Sequence, residues 1–213
     1  MHSRKAAVEK RLRGLYVIID PSLAEGRDEL EIAREALAGD ARLLQLRDKT
    51  REKGLQLPIA RALRALCRER GAPFIVNDHV DLALAADADG VHVGQTDLPV
   101  SAVRRLVPPE MIVGCSTNNP EEARRAEADG ADYVSVGRLF PTGSKQDTRP
   151  VTTETLRAVK AAVSVPVCAI GGITEATIGE ALAAGADMAA VIAAVIAAPD
   201  LTEAARRLAA RFD

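Results

Sequence analysis

The sequence predicts an α/β protein, a single-domain (β/α)8 TIM barrel. Eight short apolar runs alternate with Ala/Leu/Arg/Glu stretches of helical spacing. The runs are apolar at nearly every position, the pattern of parallel strands covered by helices. No GxGxxG follows the first run, which argues against a dinucleotide-binding open sheet, and eight units favour closure. The chain has 213 residues, compact for a fold that typically takes about 250, so most loops must be short.

In chain order the strand candidates are GLYVIID (14–20), LLQLRDK (43–49), PFIVND (73–78), GVHVGQ (90–95), MIVGCST (111–117), DYVSVGRLF (132–140), VPVCAIGGI (165–173) and MAAVIAAVI (188–196). RDELEIAREALAG and PIARALRALCRERG are examples of the helices between them. Three helical stretches end in AADADG, EADGAD and AAGAD, where Gly can adopt the left-handed cap that turns a helix back to a strand. Residues 1–13 lack the apolar core of a signal peptide and are read as an N-terminal helix or arm, with the barrel over 14–213.

Composition narrows the function. Aromatics are 2% of residues with no Trp, and the net charge is −2. That leaves few stacking platforms and no general attraction to nucleic acid. The apolar runs are too short to span a membrane. Cys67, Cys115 and Cys168 show no CxxC spacing and are read as buried reduced thiols of a cytoplasmic protein.

Active sites of such barrels lie at the C-terminal strand ends, and four polar clusters fall there. In QLRDK, alternate side chains put Gln45, Arg47 and Lys49 on one face, a row suited to binding an anion. Strands three and four end on Asp78 and Asp97, side by side at roughly 4.8 Å strand spacing. Two readings fit these carboxylates: helix caps, with TDLPVSAV resembling a helix start, or a Mg²⁺ site completed by phosphate oxygens and waters. His79 and His92 flank the pair and are read as structural. FPTGSKQDTRP offers Thr142, Gly143, Ser144 and Lys145 as a phosphate cradle with a cation. It is also the longest strand-to-helix connection and a candidate lid. AIGGI, followed by strand eight, matches the phosphate site common after strands seven and eight.

Taken in this order, QLRDK, VNDHVDLALAADADGVHVGQTD, PTGSK and AIGGI resemble the thiamine-phosphate synthase family, from about Gly14 to the C-terminus. The resemblance implies a (β/α)8 barrel transferase of thiamine biosynthesis. It would join hydroxymethylpyrimidine diphosphate to hydroxyethylthiazole phosphate with Mg²⁺, giving thiamine phosphate and pyrophosphate. By position it implies that Gln45, Arg47, Lys49 and Asn77 contact the pyrimidine diphosphate, and that Asp78 and Asp97 hold Mg²⁺. Ser116 would meet the pyrimidine end. Thr142, Gly143, Ser144, Gly172 and the backbone at Ile192 and Ala193 would receive the thiazole phosphate, and Lys145 the diphosphate. Three positions depart from the family pattern: Ser144 replaces a Thr, Ala193 a Ser, and Arg138 a Pro or His. A thiazole tautomerase-like isomerase and a non-catalytic phosphate-metabolite sensor are the alternatives. The sequence sets no oligomeric state.

Overall fold

The computed structural model describes residues 10–142 and 149–212. Eight parallel strands pair in sequence order and close into a barrel, β8 returning to β1. The elements are β1 (Gly14–Ile19), α1 (Glu29–Ala38), β2 (Leu43–Leu46), α2 (Lys53–Glu69), β3 (Phe74–Asn77), α3 (Val80–Ala85), β4 (Gly90–Val93), α4 (Val100–Leu106), β5 (Ile112–Thr117), α5 (Pro120–Ala128), β6 (Tyr133–Val136), α6 (Thr153–Ala162), β7 (Val167–Ile170), α7 (Ile178–Ala183), β8 (Met188–Val191), α8 (Ala193–Ile196) and α9 (Leu201–Ala209).

Strand alternation divides the core into two layers. Leu44, Leu46, Phe74 and Val76 face outward into the layer between strands and helices. Leu43, Ile75, Ile112 and Met188 face inward and fill the barrel with Tyr16 and Tyr133. Leu12, in the segment read as an arm, is fully buried in this inner layer, and Arg11 is tied to Asp89 at 3.1 Å.

All eight expected strands form, but most end earlier than the apolar runs suggest. β2 stops at Leu46, which leaves Arg47 and Lys49 just beyond the strand at the barrel mouth. Beyond β6, Leu139 and Phe140 donate backbone N–H bonds to Ile170 and Gly171 without continuing the strand. The run 188–196 breaks at Ile192, after which Ala193–Ile196 turn into the short α8. α2 begins at Lys53, not near Pro58, because buried Gln56 anchors its first turn by donating to the carbonyls of Asp48 and Arg51.

The helix-to-strand clusters close the lower end. Gly130 and Gly185 take the left-handed conformation expected of them. In AADADG that role falls to Asp87 instead, at φ 51. Gly90 lies within β4, where a Cβ would sit 2.5 Å from the Ile112 carbonyl oxygen. The three cysteines are buried and unpaired. Burial pushes the Cys115 thiol up to about 11 and Cys67 to about 12, so neither is a thiolate near neutral pH. Among the described residues no helix is long and apolar enough to cross a membrane.

Candidate active site

The C-terminal strand ends enclose a cavity of about 810 Å³. One wall is charged. β3 runs out at Asn77, and Asp78 takes a left-handed φ of 60, a conformation Asp tolerates better than most residues. Its N–H still donates to the His92 carbonyl at 2.8 Å, which carries the β3–β4 pairing one residue further. Asp97 folds back on its own loop and accepts the Gly94 N–H at 2.7 Å. Lys49 lies 3.1 Å from Asp78. Burial, and then the neighbouring Asp97 charge, push the Asp78 carboxyl above the usual range, against the pull of Lys49.

Neither aspartate caps a helix. His79 occupies the N-cap of α3 and Pro99 that of α4, and neither helix receives a side-chain cap bond. The expected start of α4 thus shifts past its proline, and the capping reading fails. Two adjacent hard oxygen donors, one with its ionisation disfavoured by the other, fit a divalent cation. Among the described residues no cluster of three or more His, Cys, Asp or Glu is placed to hold a metal.

Arg47 is held by Asp20, a 2% exposed carboxylate at the end of β1 that also accepts from Ser22 Oγ at 2.6 Å. Asp20, the last residue of the first strand candidate, escaped the sequence reading as a site residue because its partner lies 27 residues away. Lys49 and Asn77 also line the cavity. Gln45 does not: it lies a layer deeper, 2% exposed, donating to Tyr16 Oη at 2.6 Å. The floor is His92, Ser116 and Ser135, with His92 Nε2 2.9 Å from Ser116 Oγ. His92, read as a packed strand residue, is buried yet forms part of the cavity surface.

The facing wall is backbone-rich. Gly171 and Gly172 have φ 96 and 65, and a Cβ on Gly172 would lie 2.6 Å from the Pro141 carbonyl oxygen. Only glycine fits there, and the bare backbone stays open to the cavity. Thr142, Ile192 and Ala193 complete this side. Gly143, Ser144 and Lys145 lie outside the described residues. The described residues on either side of them meet at a neck. Asn118 Nδ2 donates to the carbonyls of Gly137 (2.7 Å) and Arg149 (3.2 Å), and Arg149 pairs with Glu122 at 2.6 Å. Burial works against the Glu122 charge, but bonds from Arg149 and the Asn118 N–H outweigh it, holding the carboxyl below its usual range. Arg138, a departure from the family pattern, lines the cavity beside this neck.

Comparison with known proteins converges on one family. A model described as thiamine monophosphate synthase matches residues 15–195. The thiamine-phosphate synthase of Moorella thermoacetica is 51% identical over 195 residues, covering 91% of this chain and 93% of its own. That of Methanospirillum hungatei is 49% identical over 197 residues, covering 92% and 96%. A thiamine phosphate pyrophosphorylase from Pyrococcus furiosus superposes with a TM-score of 0.88 at 40% identity, covering 96% of this chain and 97% of that one. A 3-hexulose-6-phosphate synthase, at 20% identity and a TM-score of 0.69, shares the barrel alone. With a family model spanning most of the barrel and relatives near half identity over nine-tenths of the sequence, the chain belongs to the thiamine monophosphate synthase family.

Proposed function

We propose that this chain joins hydroxymethylpyrimidine diphosphate to hydroxyethylthiazole phosphate, giving thiamine phosphate and pyrophosphate. The observation that carries the proposal is the pairing of opposite walls in one cavity: Asp78, Asp97, Lys49 and Arg47 on one, the Gly171–Gly172 backbone on the other. A diphosphate suits the first wall and a monophosphate the second.

The bond between the pyrimidine methylene carbon and the diphosphate oxygen breaks, and the thiazole nitrogen forms the new C–N bond. That nitrogen has no proton to lose, so the reaction calls for positioning and charge stabilisation. Arg47, oriented by Asp20, and Lys49 bind the diphosphate and stabilise the charge that grows as it departs. Asn77 and Ser116 position the pyrimidine, with Gln45 acting from beneath the floor. Thr142, Gly143, Ser144 and Gly172, with the backbone at Ile192 and Ala193, hold the thiazole phosphate. Lys145 adds a cation for the leaving group. Mg²⁺, when bound by Asp78 and Asp97, supplies further neutralisation of the diphosphate charge. Three buried, unpaired thiols support a reducing compartment, the cytoplasm.

The test is an incubation of the purified chain with both substrates and Mg²⁺, assayed for pyrophosphate and thiamine phosphate together. Stoichiometric release that needs both substrates supports the proposal. Pyrophosphate without thiamine phosphate, or neither product, refutes it.

A further inference from the structure

Among the described residues the inner layer of the barrel is largely aliphatic, and one line of polar side chains rises through it to the cavity floor. Gln45 Nε2 donates to Tyr16 Oη at 2.6 Å. The hydroxyls of Tyr16 and Tyr133 are 3.1 Å apart. The Tyr133 hydroxyl lies 2.9 Å from His92 Nδ1, and His92 Nε2 lies 2.9 Å from Ser116 Oγ. The line uses both tyrosines of the chain, each at most 2% exposed.

The geometry depends on a glycine. His92, Gly114 and Tyr133 stand side by side in register on β4, β5 and β6. A Cβ on Gly114 would come 2.1 Å from Tyr133 Cζ. The Tyr133 ring therefore lies across the bare glycine and spans β5 to reach His92. The two rings sit tilted, with centroids 5.4 Å apart.

Hydrogen counting gives the line a direction. The amide nitrogen of Gln45 can only donate, so Tyr16 Oη accepts from it. Burial raises both phenols well above their ordinary range, so both keep their hydrogens. Either hydroxyl of the tyrosine pair could donate, but with Tyr16 Oη accepting from Gln45, Tyr133 Oη is the acceptor the pair offers the Tyr16 hydrogen, and a buried hydroxyl hydrogen left without one is costly. Tyr133 must then direct its own hydrogen to His92 Nδ1. A neutral ring that accepts at Nδ1 carries its hydrogen on Nε2, pointing at Ser116 Oγ. Ser135 Oγ lies 3.4 Å from Ser116 Oγ and 3.5 Å from His92 Nε2, and with Nε2 protonated its hydrogen has the Ser116 oxygen as acceptor.

We propose that Gln45, Tyr16 and Tyr133 fix His92 as the Nε2–H tautomer, and that His92 acts as a positioning residue committing the Ser116 hydroxyl to donate into the cavity, towards an unprotonated ring nitrogen of a heteroaromatic ligand. The second half rests on the proposed pyrimidine-binding function. The Ser116–His92 pair is thus not a nucleophile with its base: the histidine gives its hydrogen to the serine and cannot take one. Behind the ring stands a neutral phenol, not a carboxylate, which orients imidazole without stabilising imidazolium.

The test is nitrogen NMR of the chain labelled at its 3 histidines, with His92→Gln used only to assign the signals. The ligand-free wild type should show His92 protonated at Nε2 and bare at Nδ1 near neutral pH. Tyr133→Phe, which removes one hydroxyl, should shift His92 to a mixture of tautomers. A wild-type ring protonated at Nδ1, or a tautomer indifferent to Tyr133→Phe, overturns the relay. In kinetics, Ser116→Ala and Tyr133→Phe should each raise KM for the pyrimidine diphosphate about tenfold with little change in kcat. The double variant should be no worse than Ser116→Ala. Additive losses overturn the role of Ser116. A wild type that makes no thiamine phosphate removes the functional reading and the Ser116 assignment with it, while the nitrogen spectrum still decides the relay.

Discussion

At the N-terminal end of the barrel, Asp89, Asp132 and Asp187 each accept a strand N–H, from Phe74 (3.0 Å), Val113 (2.9 Å) and Val167 (2.8 Å). Each also meets a cation: Arg11 and Arg64 for Asp89, Arg104 for Asp132, Lys160 for Asp187. At the C-terminal end, Asp78 faces another carboxylate and an exposed lysine. The same side chain does opposite work at the two ends. Below, each carboxylate joins a backbone donor to a cation and ties one helix-to-strand loop to the neighbouring, preceding strand. Above, two carboxylates share one place, and burial and then the Asp97 charge disfavour the ionisation of Asp78.

If this contrast is sound, the two ends should fail differently. The largest effect is expected from Asp78→Asn combined with Asp97→Asn, which should lower coupling roughly a thousandfold while the fold survives. Asn keeps the size and also tolerates the left-handed backbone at position 78. Each single change should raise the Mg²⁺ requirement, and the two should combine non-additively because both residues serve one ion. Activity titrated against Mg²⁺ in the three variants checks this, and a metal dependence unchanged from wild type would remove the site. Asp132→Ala should do the reverse. It takes away the carboxylate partner of Arg104 and the acceptor of the Val113 N–H, the Arg104 and Asp132 side chains both being less than a fifth exposed. The cost should be about 2 kcal/mol in urea unfolding, with turnover per folded molecule unchanged. A third change falls between the two. Asp20→Asn leaves the barrel intact but loosens Arg47, so KM for the pyrimidine diphosphate should rise about tenfold with stability nearly constant.

The contrast also shows what the sequence could tell. The strand count and closure were legible because alternation and apolar runs are local properties of the chain. So was the Asp78/Asp97 pair, since consecutive barrel strands are neighbours and their ends can be compared directly. Strand ends were less legible: Ile192 is as apolar as the strand before it, and only the turn into α8 stops β8 there. The inward row on β2 came out split. Arg47 and Lys49 reach the cavity, whereas Gln45 stays below it, because a period-two pattern gives a side chain's direction but not its depth. Asp20, Tyr16 and Tyr133 were missed because their partners lie on or just beyond other strands, 27 residues away for Asp20 and Arg47 and 117 for the tyrosine pair. One usable signal was present: in a chain with 2 tyrosines, both fall inside strands at positions that alternation turns inward.

The smallest expected effect is the most direct probe of the upper pair. The Asp78 carboxyl sits above its unfolded range, chiefly from burial and then from Asp97. Below about pH 3.9, the unfolded value, both states carry the proton and Asp78 contributes nothing to the pH dependence of stability. As the pH rises, the unfolded chain ionises first, so unfolding is favoured, and the penalty is complete once the pH passes the raised folded value. Asp78→Asn alone should therefore stabilise the metal-free protein at neutral pH, by less than about 1 kcal/mol for a side chain that is 19% exposed. The gain should shrink to nothing as the pH falls through the carboxylate range. Saturating Mg²⁺ with pyrophosphate should reverse the order, because only the wild type retains both ligands and is stabilised by mass action. Urea midpoints at pH 3.5 and 7.5, with and without Mg²⁺ and pyrophosphate, read all three effects. A variant less stable than wild type in metal-free neutral buffer would mean that Asp78 is a fold-holding carboxylate like those at the other end, and the comparison between the two ends would collapse.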